Sequence, residues 1–229
     1  MSRTAPGGWV AALLTVAVVG AVAYGINATA SPAVAPPLRG VLSQCAHARF
    51  GPALPPLDAP ASLHRYRAAP PFTIDVHRLY LATITGPAGR ISICLVPSWA
   101  PHTVNNFVML ARNHFFDGLT WVRDPSTAPG GPVLQGGSPL DTMAGGPGYT
   151  FADEPVRGPL YRAGAYLPGA VAMANSGPDT NGSQFFITLS RFTLAPHYNL
   201  FGAVIQGLTV ARHVRKGQPM TITVRAALP

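Results

Sequence analysis

The strongest chemical pattern in the chain lies at residues 171–190, VAMANSGPDTNGSQFFITLS. An apolar run breaks at Asn175 into a polar loop that ends at Ser183, and the apolar pattern then resumes. Pro fixes φ and Gly or Asn accepts positive φ, so Ser176-Gly177-Pro178-Asp179 and Thr180-Asn181-Gly182 predict a compact turn between two strands. The second strand opens on Gln184 and two successive phenylalanines, Phe185 and Phe186. Strand alternation sends those rings to opposite faces, one into the core and one outward. An arginine, a glutamine and two phenylalanines on strands that bracket glycine-rich loops suit recognition of a neutral peptide rather than acid–base chemistry.

Other chemistries lack their residues. The 7 histidines show no metal-ligand spacing, and the 8 acidic residues are dispersed along the chain. Ser183 stands in Gly182-Ser183-Gln184, which is not a nucleophile elbow. Gly145-Gly146-Pro147-Gly148 is glycine-rich but follows no strand-to-helix signature, so a phosphate cradle is not expected. Neither a cofactor nor a metal is expected. The net charge of +8 rests on scattered arginines, with Lys216 the single lysine. A nucleic-acid interface would cluster its cations, so no nucleic-acid partner is expected. Asn27-Ala28-Thr29 and Asn181-Gly182-Ser183 match glycosylation triplets, although the second already has a turn role.

The elements that must position these residues follow from periodicity. Residues 1–30 are expected to form a transmembrane anchor or signal segment. Its uncharged run at 9–26 would span about 27 Å as a helix, and Arg3 precedes it, which keeps the N-terminus inside. An uncleaved single-pass anchor places the rest of the chain outside the cytoplasm. Cleavage after Ala30, within Ala28-Thr29-Ala30, would instead release a secreted protein. Residues 31–72, rich in Pro and Ala, read as an extended extracytoplasmic tether. In an oxidising compartment Cys45 and Cys94 are a disulfide candidate, the alternative being two free thiols.

The folded domain is expected over residues 73–229. Strands are predicted at 79–84 and 90–96, joined by the turn Gly86-Pro87-Ala88-Gly89. Cys94 points away from the apolar face of Ile91, Ile93 and Leu95. Pro101 starts a helix whose Val104, Phe107, Val108 and Ala111 recur at helical spacing. Further strands are predicted at 119–123, 133–137, 200–205 and 220–224, a long irregular excursion at 138–164, and a short helix at 208–215. Many short strands with two helices imply a mainly all-β barrel or sandwich.

Met173-Ala174-Asn175-Ser176-Gly177-Pro178, followed by Asn181-Gly182-Ser183-Gln184-Phe185-Phe186, is similar to the signature of the cyclophilins, the peptidyl-prolyl cis-trans isomerases. Gln135-Gly136-Gly137, the Tyr149-x-Phe151-x-Asp153-Glu154 block, Val104-Asn105-Asn106-Phe107 and Phe201-Gly202 fall in the family order. The match covers about 73–224, and the anchor and tether resemble the actinobacterial membrane-anchored branch. The resemblance implies a closed eight-stranded barrel capped by two α-helices. It implies Arg123 as the catalytic residue and a substrate site made by Gln135, Met173, Ala174, Asn175, Gln184, Phe186, Leu194 and Tyr198. It implies proline-containing peptides and unfolded exported proteins as partners of a monomer that needs no cofactor. Three departures stand out: Val122 where the family has His, Pro132 where it has Phe, and Asp124, which could pair with Arg123. A catalytically weak peptide-binding module on the same fold is the alternative. Thr193, where eukaryotic members carry Trp, implies weak cyclosporin binding.

Overall fold

The computed structural model describes residues 36–57, 64–126 and 131–229. The anchor or signal segment expected at 1–30, its cleavage site and the Asn27 triplet lie outside the described residues. Among the described residues no helix is long and apolar enough to cross a membrane.

The segment expected as an extended tether carries regular structure. Helix α1 spans Pro36–His47 and strand β1 spans Phe50–Ala53. A proline is tolerated in the first turn of a helix, where its missing N–H would be unpaired anyway, so Pro36-Pro37 starts α1 rather than preventing it. Cys45 is buried, while Ser43, Gln44, Ala46 and His47 around it are exposed. The helix packs against strand β10 (Leu200–Gln206), and Cys45 is joined by a disulfide to Cys94, with Cα atoms 6.2 Å apart. These contacts are long-range, so Pro/Ala composition alone did not reveal them.

Strands β2 (Tyr80–Gly86) and β3 (Gly89–Leu95) form a hairpin closed by Pro87-Ala88, with Gly86 opposite Gly89. Helix α2 covers Pro101–Arg112, with Pro101 in its first turn and Val104, Phe107, Val108 and Ala111 buried. Its open N–H groups are taken by Glu154, whose carboxylate accepts from the His102 and Thr103 amides at 3.0 and 2.8 Å. Then follow β4 (Val133–Gly136), β5 (Tyr161–Arg162), β6 (Ala165–Tyr166), β7 (Ala170–Met173), β8 (Phe185–Thr188), β9 (Phe192–Thr193), β10, α3 (Leu208–His213) and β11 (Thr221–Ala227).

The main sheet has eight strands in the order β1-β11-β2-β3-β10-β7-β8-β4, with antiparallel pairing throughout. The fold is therefore mainly β, as expected. The eight strands include β1 from the N-terminal segment, and the expected strand at 119–123 is reduced to isolated bridges. The described helices number three, α1 joining the two that were expected. Strands β5, β6 and β9 make a separate three-stranded sheet.

One face of the main sheet and α2 enclose the core. Phe107 lies 5.1, 5.4 and 5.3 Å from Phe116, Phe185 and Phe201, ring centre to ring centre. Burying each such ring contributes on the order of 1.5–3 kcal/mol, so this cluster is a main source of the fold's stability. On the other face a smaller apolar cluster joins Cys45, Cys94, Tyr166, Ala172 and Phe186. The disulfide thus lies in the same packed layer as the residues behind the site.

Candidate active site

Register builds the site. Strands β4 and β8 pair with Gln135 opposite Phe186, and β7 places Ala172 on the other side of Phe186. These residues form one row on the outer face. The adjacent row, Gly136, Phe185 and Met173, faces the core. Phe185 is fully buried there while Phe186 faces the smaller cluster, as strand alternation requires.

Arg123 enters through a bridge to β4. The Gln135 amide donates to the Arg123 carbonyl at 2.9 Å, and the Arg123 amide returns a bond to the Gln135 carbonyl at 3.2 Å. The same stretch, 118–123, also bonds the chain that leads into β11: Trp121 N–H donates to Gln218 O at 3.0 Å and Met220 N–H to Leu119 O at 2.9 Å. Arg123 is thereby held beside Gln135 by backbone on both sides, although the loop after it is long.

A cavity of about 310 Å³ opens between these elements, with Arg123, Gln135, Val133, Phe186, Leu194 and Tyr198 on its walls. Ala174 and Asn175 line its rim. Phe186 is fixed by Tyr198 at 5.6 Å and Tyr166 at 6.0 Å, both near-perpendicular. Tyr166 donates its hydroxyl to the Tyr198 carbonyl at 2.7 Å, and burial pushes the pKa of that hydroxyl up. The Tyr161 hydroxyl donates to the Leu194 carbonyl at 3.1 Å. The strap 194–198 is therefore tied down by two tyrosines of the small sheet.

The guanidinium of Arg123 is half-buried and its pKa is lowered by that burial. Its Nη2 is buried and has no hydrogen-bond partner among the described residues. Asp124 does not occupy it. The Asp124 carboxylate accepts from Ser126 N–H at 2.7 Å and from Lys216 N–H at 2.8 Å. Burial pushes the Asp124 pKa up, but the hydrogen bonds from Ser126 and Lys216, with the charge of Arg215, hold it below the usual carboxylate value. A cation left unpaired in a partly desolvated cavity is costly, which marks it as a group awaiting a ligand.

Gln135 Nε2 donates to Gln184 Oε1 at 3.0 Å, and Gln184 Nε2 donates to the carbonyls of Met143 and Gly145 at 2.9 and 2.7 Å. Gln184 thus lines a neighbouring cavity of about 300 Å³ and ties the 143–145 loop to the sheet. Ala174 N–H donates to the Gln184 carbonyl at 2.9 Å, and the Asn175 side chain donates to His197 O at 2.7 Å. The 138–164 excursion is held by motif residues. Tyr149 O–H donates to Asn106 Oδ1 at 2.5 Å, and Asn106 Nδ2 to Gly182 O at 2.8 Å. Gly137, at φ +89°, passes so close to the Ser183 carbonyl that a Cβ would not fit.

The structure brings Arg123, Gln135, Ala174, Asn175, Phe186, Leu194 and Tyr198 around one cavity, with Gln184 beside them. Met173 is a correction. It is fully buried in the core, because it sits in register with Phe185 rather than Phe186. Asn181 is also fully buried, its amide donating to Asp153 Oδ1 at 2.7 Å, so the second glycosylation triplet is a structural turn. Sequence reasoning missed Val133, Phe192 and Met143, which also line the cavity. Val133 stands two residues before Gln135, so strand alternation could have found it; Phe192 arrives from β9 of the small sheet and Met143 from the 138–164 excursion. Among the described residues no group of three or more metal-ligating side chains occurs. An apolar seat, one cation and amide groups can hold a neutral peptide and polarise it; among the described residues Arg123 and Tyr198 are the only ionisable side chains on its walls.

Comparison with known proteins agrees with this geometry. A family profile described as cyclophilin type peptidyl-prolyl cis-trans isomerase/CLD matches residues 80–226. The probable peptidyl-prolyl cis-trans isomerase B of Mycobacterium tuberculosis is 33% identical over 211 residues, covering 84% of this chain and 67% of that protein. Peptidyl-prolyl cis-trans isomerase B of Bacillus subtilis is 42% identical over 135 residues, covering 57% of this chain and 87% of that protein. A crystal structure of a Cryptosporidium parvum cyclophilin-type isomerase, determined in the presence of the dipeptide Ala-Pro, has a TM-score of 0.51 at 25% identity. It covers 65% of this chain and 99% of that one.

Proposed function

The chain belongs to the cyclophilin-type peptidyl-prolyl cis-trans isomerases, and from that premise we propose how its own residues carry the reaction. Rotation about an X–Pro bond must break amide resonance, a barrier of roughly 18–20 kcal/mol. Phe186, Leu194, Tyr198 and Val133 hold the proline ring in the apolar seat. Gln135 and the Ala174–Asn175 backbone fix the flanking peptide. As the amide twists, its nitrogen becomes pyramidal and gains a lone pair. The Arg123 guanidinium then donates to that nitrogen. The ground-state amide nitrogen has no lone pair to offer, so the bond exists only in the transition state and lowers the barrier rather than tightening substrate binding. No proton is transferred and no cofactor enters.

The observation that carries this reading is the half-buried Arg123 side chain on the wall of the cavity that Phe186 lines, its buried Nη2 without a partner among the described residues. A passive peptide-binding module gains nothing from a half-buried cation that no described residue pairs, so the catalytic reading is favoured. The test is isomerisation of a short X–Pro peptide. Acceleration is expected with the purified, metal-free protein, and a rate equal to the uncatalysed one refutes the assignment.

Three finer points belong to the same reading. The bonds of 118–123 to both β4 and the chain before β11 support a sheet closed into a barrel. The outer edge strand β1 is short and carries Pro52, which blunts edge pairing and supports a monomer; light scattering tests it. The Cys45–Cys94 bond supports action outside the cytoplasm on exported proteins, through either an anchored or a cleaved N-terminus. Sequencing the N-terminus of the protein from membrane and medium fractions separates the two.

A further inference from the structure

A cavity of about 870 Å³ lies beyond the two already described. Its one wall is His64 and Arg65; its other is Leu140, Gly148, Tyr149 and Thr150. Residues 64 and 65 precede the family match, which begins at residue 80. The cavity shares Ala144, Gly145, Gly146, Tyr149 and Thr150 with the cavity that Gln184 lines, and that one in turn shares Gln135 and Asn175 with the proline seat. The three therefore follow one another across the 143–150 loop.

The wall is built rather than incidental. Tyr66 N–H donates to Pro147 O at 2.7 Å. A Cβ on Gly148, at φ +93°, would come within 2.6 Å of the Tyr66 carbonyl and 2.8 Å of Arg65 Cγ, so a glycine there lets the 64–66 segment lie on the loop. The His64 ring stands edge-on to Phe115 at 5.4 Å. Its Nε2, like the Tyr66 hydroxyl, is buried without a hydrogen-bond partner among the described residues. Among the described residues no acidic side chain lines the cavity. Asp141, next to Leu140, accepts from Thr120 Oγ1 at 2.7 Å. Arg65 is exposed, with no ion pair to it among the described residues.

We propose that this cavity is an outer subsite of the polypeptide groove, where Arg65 receives an aspartate or glutamate several residues from the isomerised proline. The identity of the ligand as polypeptide rests on the isomerase reading above. An extended chain advances roughly 3.3–3.6 Å per residue. A whole cavity separates the subsite from the proline seat, so an immediate neighbour of the proline does not reach it. Arg65 supplies the charge.

The test uses neutral host peptides with one proline and a Glu or Lys scanned over the second to fifth positions on each side. Kd is read by titration and kcat/KM by isomerisation. One position is expected to prefer Glu over Lys by about two- to five-fold, the range of a partly exposed charge pair. Arg65→Glu is expected to reverse that preference and Arg65→Ala to abolish it, with all variants alike on the neutral host. No preference at any position, or a preference that Arg65→Glu leaves unchanged, overturns the proposal. Because Kd is read independently of turnover, a neutral host that binds but is not isomerised would refute the isomerase reading while the charge reversal still decides the subsite.

Discussion

Replacing Arg123 by alanine separates catalysis from folding in one protein. The guanidinium is held by backbone bonds of residues 122–123 to Gln135, not by its side chain, and its Nη2 has no partner among the described residues. Truncation therefore leaves the bridge to β4 in place and removes a desolvated cation rather than a stabilising contact. Stability should change by less than about 0.5 kcal/mol. The lost interaction is a charged hydrogen bond to the twisted amide, about 1.5–3 kcal/mol. At about 1.4 kcal/mol per decade, kcat/KM should fall by about 10- to 150-fold. The fall should appear in kcat with KM little moved, because the planar substrate amide offers that nitrogen no bond. Arg123→Lys should recover only part of it, since an ammonium on a shorter stem is a point charge without the planar fork. The assay is exchange or protease-coupled isomerisation of an X–Pro peptide, with thermal melts of each variant. A folded Arg123→Ala protein within two-fold of the parent refutes the mechanism. A loss confined to KM would make Arg123 a ground-state binder instead.

Further outcomes follow from the neighbouring contacts. Phe186→Ala removes the floor under Tyr198 and Tyr166. It should raise KM and lower stability by about 3–5 kcal/mol, readable in paired kinetics and urea melts. Breaking Cys45–Cys94, whose sequence separation is 49, should cost about 4 kcal/mol in the chain-entropy account; a melt unmoved by reductant would contradict it. The Asp124 carboxyl has its pKa lowered by Ser126 and Lys216 against burial, so its stabilisation is full above the unfolded value near 3.9 and fades as pH falls through the folded value. Denaturant melts from about pH 6 down to about pH 3 should therefore show a shallower acid loss for Asp124→Ala than for the parent. Equal slopes would show that Asp124 contributes nothing to acid sensitivity.

Local rules read well wherever the signal was local. The Pro87-Ala88 hairpin, the helix at Pro101 and the opposite faces of Phe185 and Phe186 all follow from periodicity and turn chemistry, and the structure carries each of them. Reading failed where partners come from far along the chain. The Pro/Ala-rich segment gave no period, yet β1 pairs with the last strand, Phe50 opposite Ala227. Met173 fits the family signature and sits on a strand beside the site, but register turns it toward Phe185 and the core. Asp124 follows Arg123 directly and still bonds Ser126 and Lys216, because the bridge to β4 fixes the backbone between them and the chain before β11 presents its amide.

By itself the sequence determined which residues could face outward and which turns connect them, since strand and helix periods are properties of neighbouring residues. Only the tertiary structure decided that Arg123, Phe186 and Tyr198 meet at one cavity, that Arg123 Nη2 is buried without a partner among the described residues, and that residues 64 and 65 wall a third cavity. Those facts depend on strand register and on loops brought together across the fold. Both are set by packing over the whole chain rather than by any window of it.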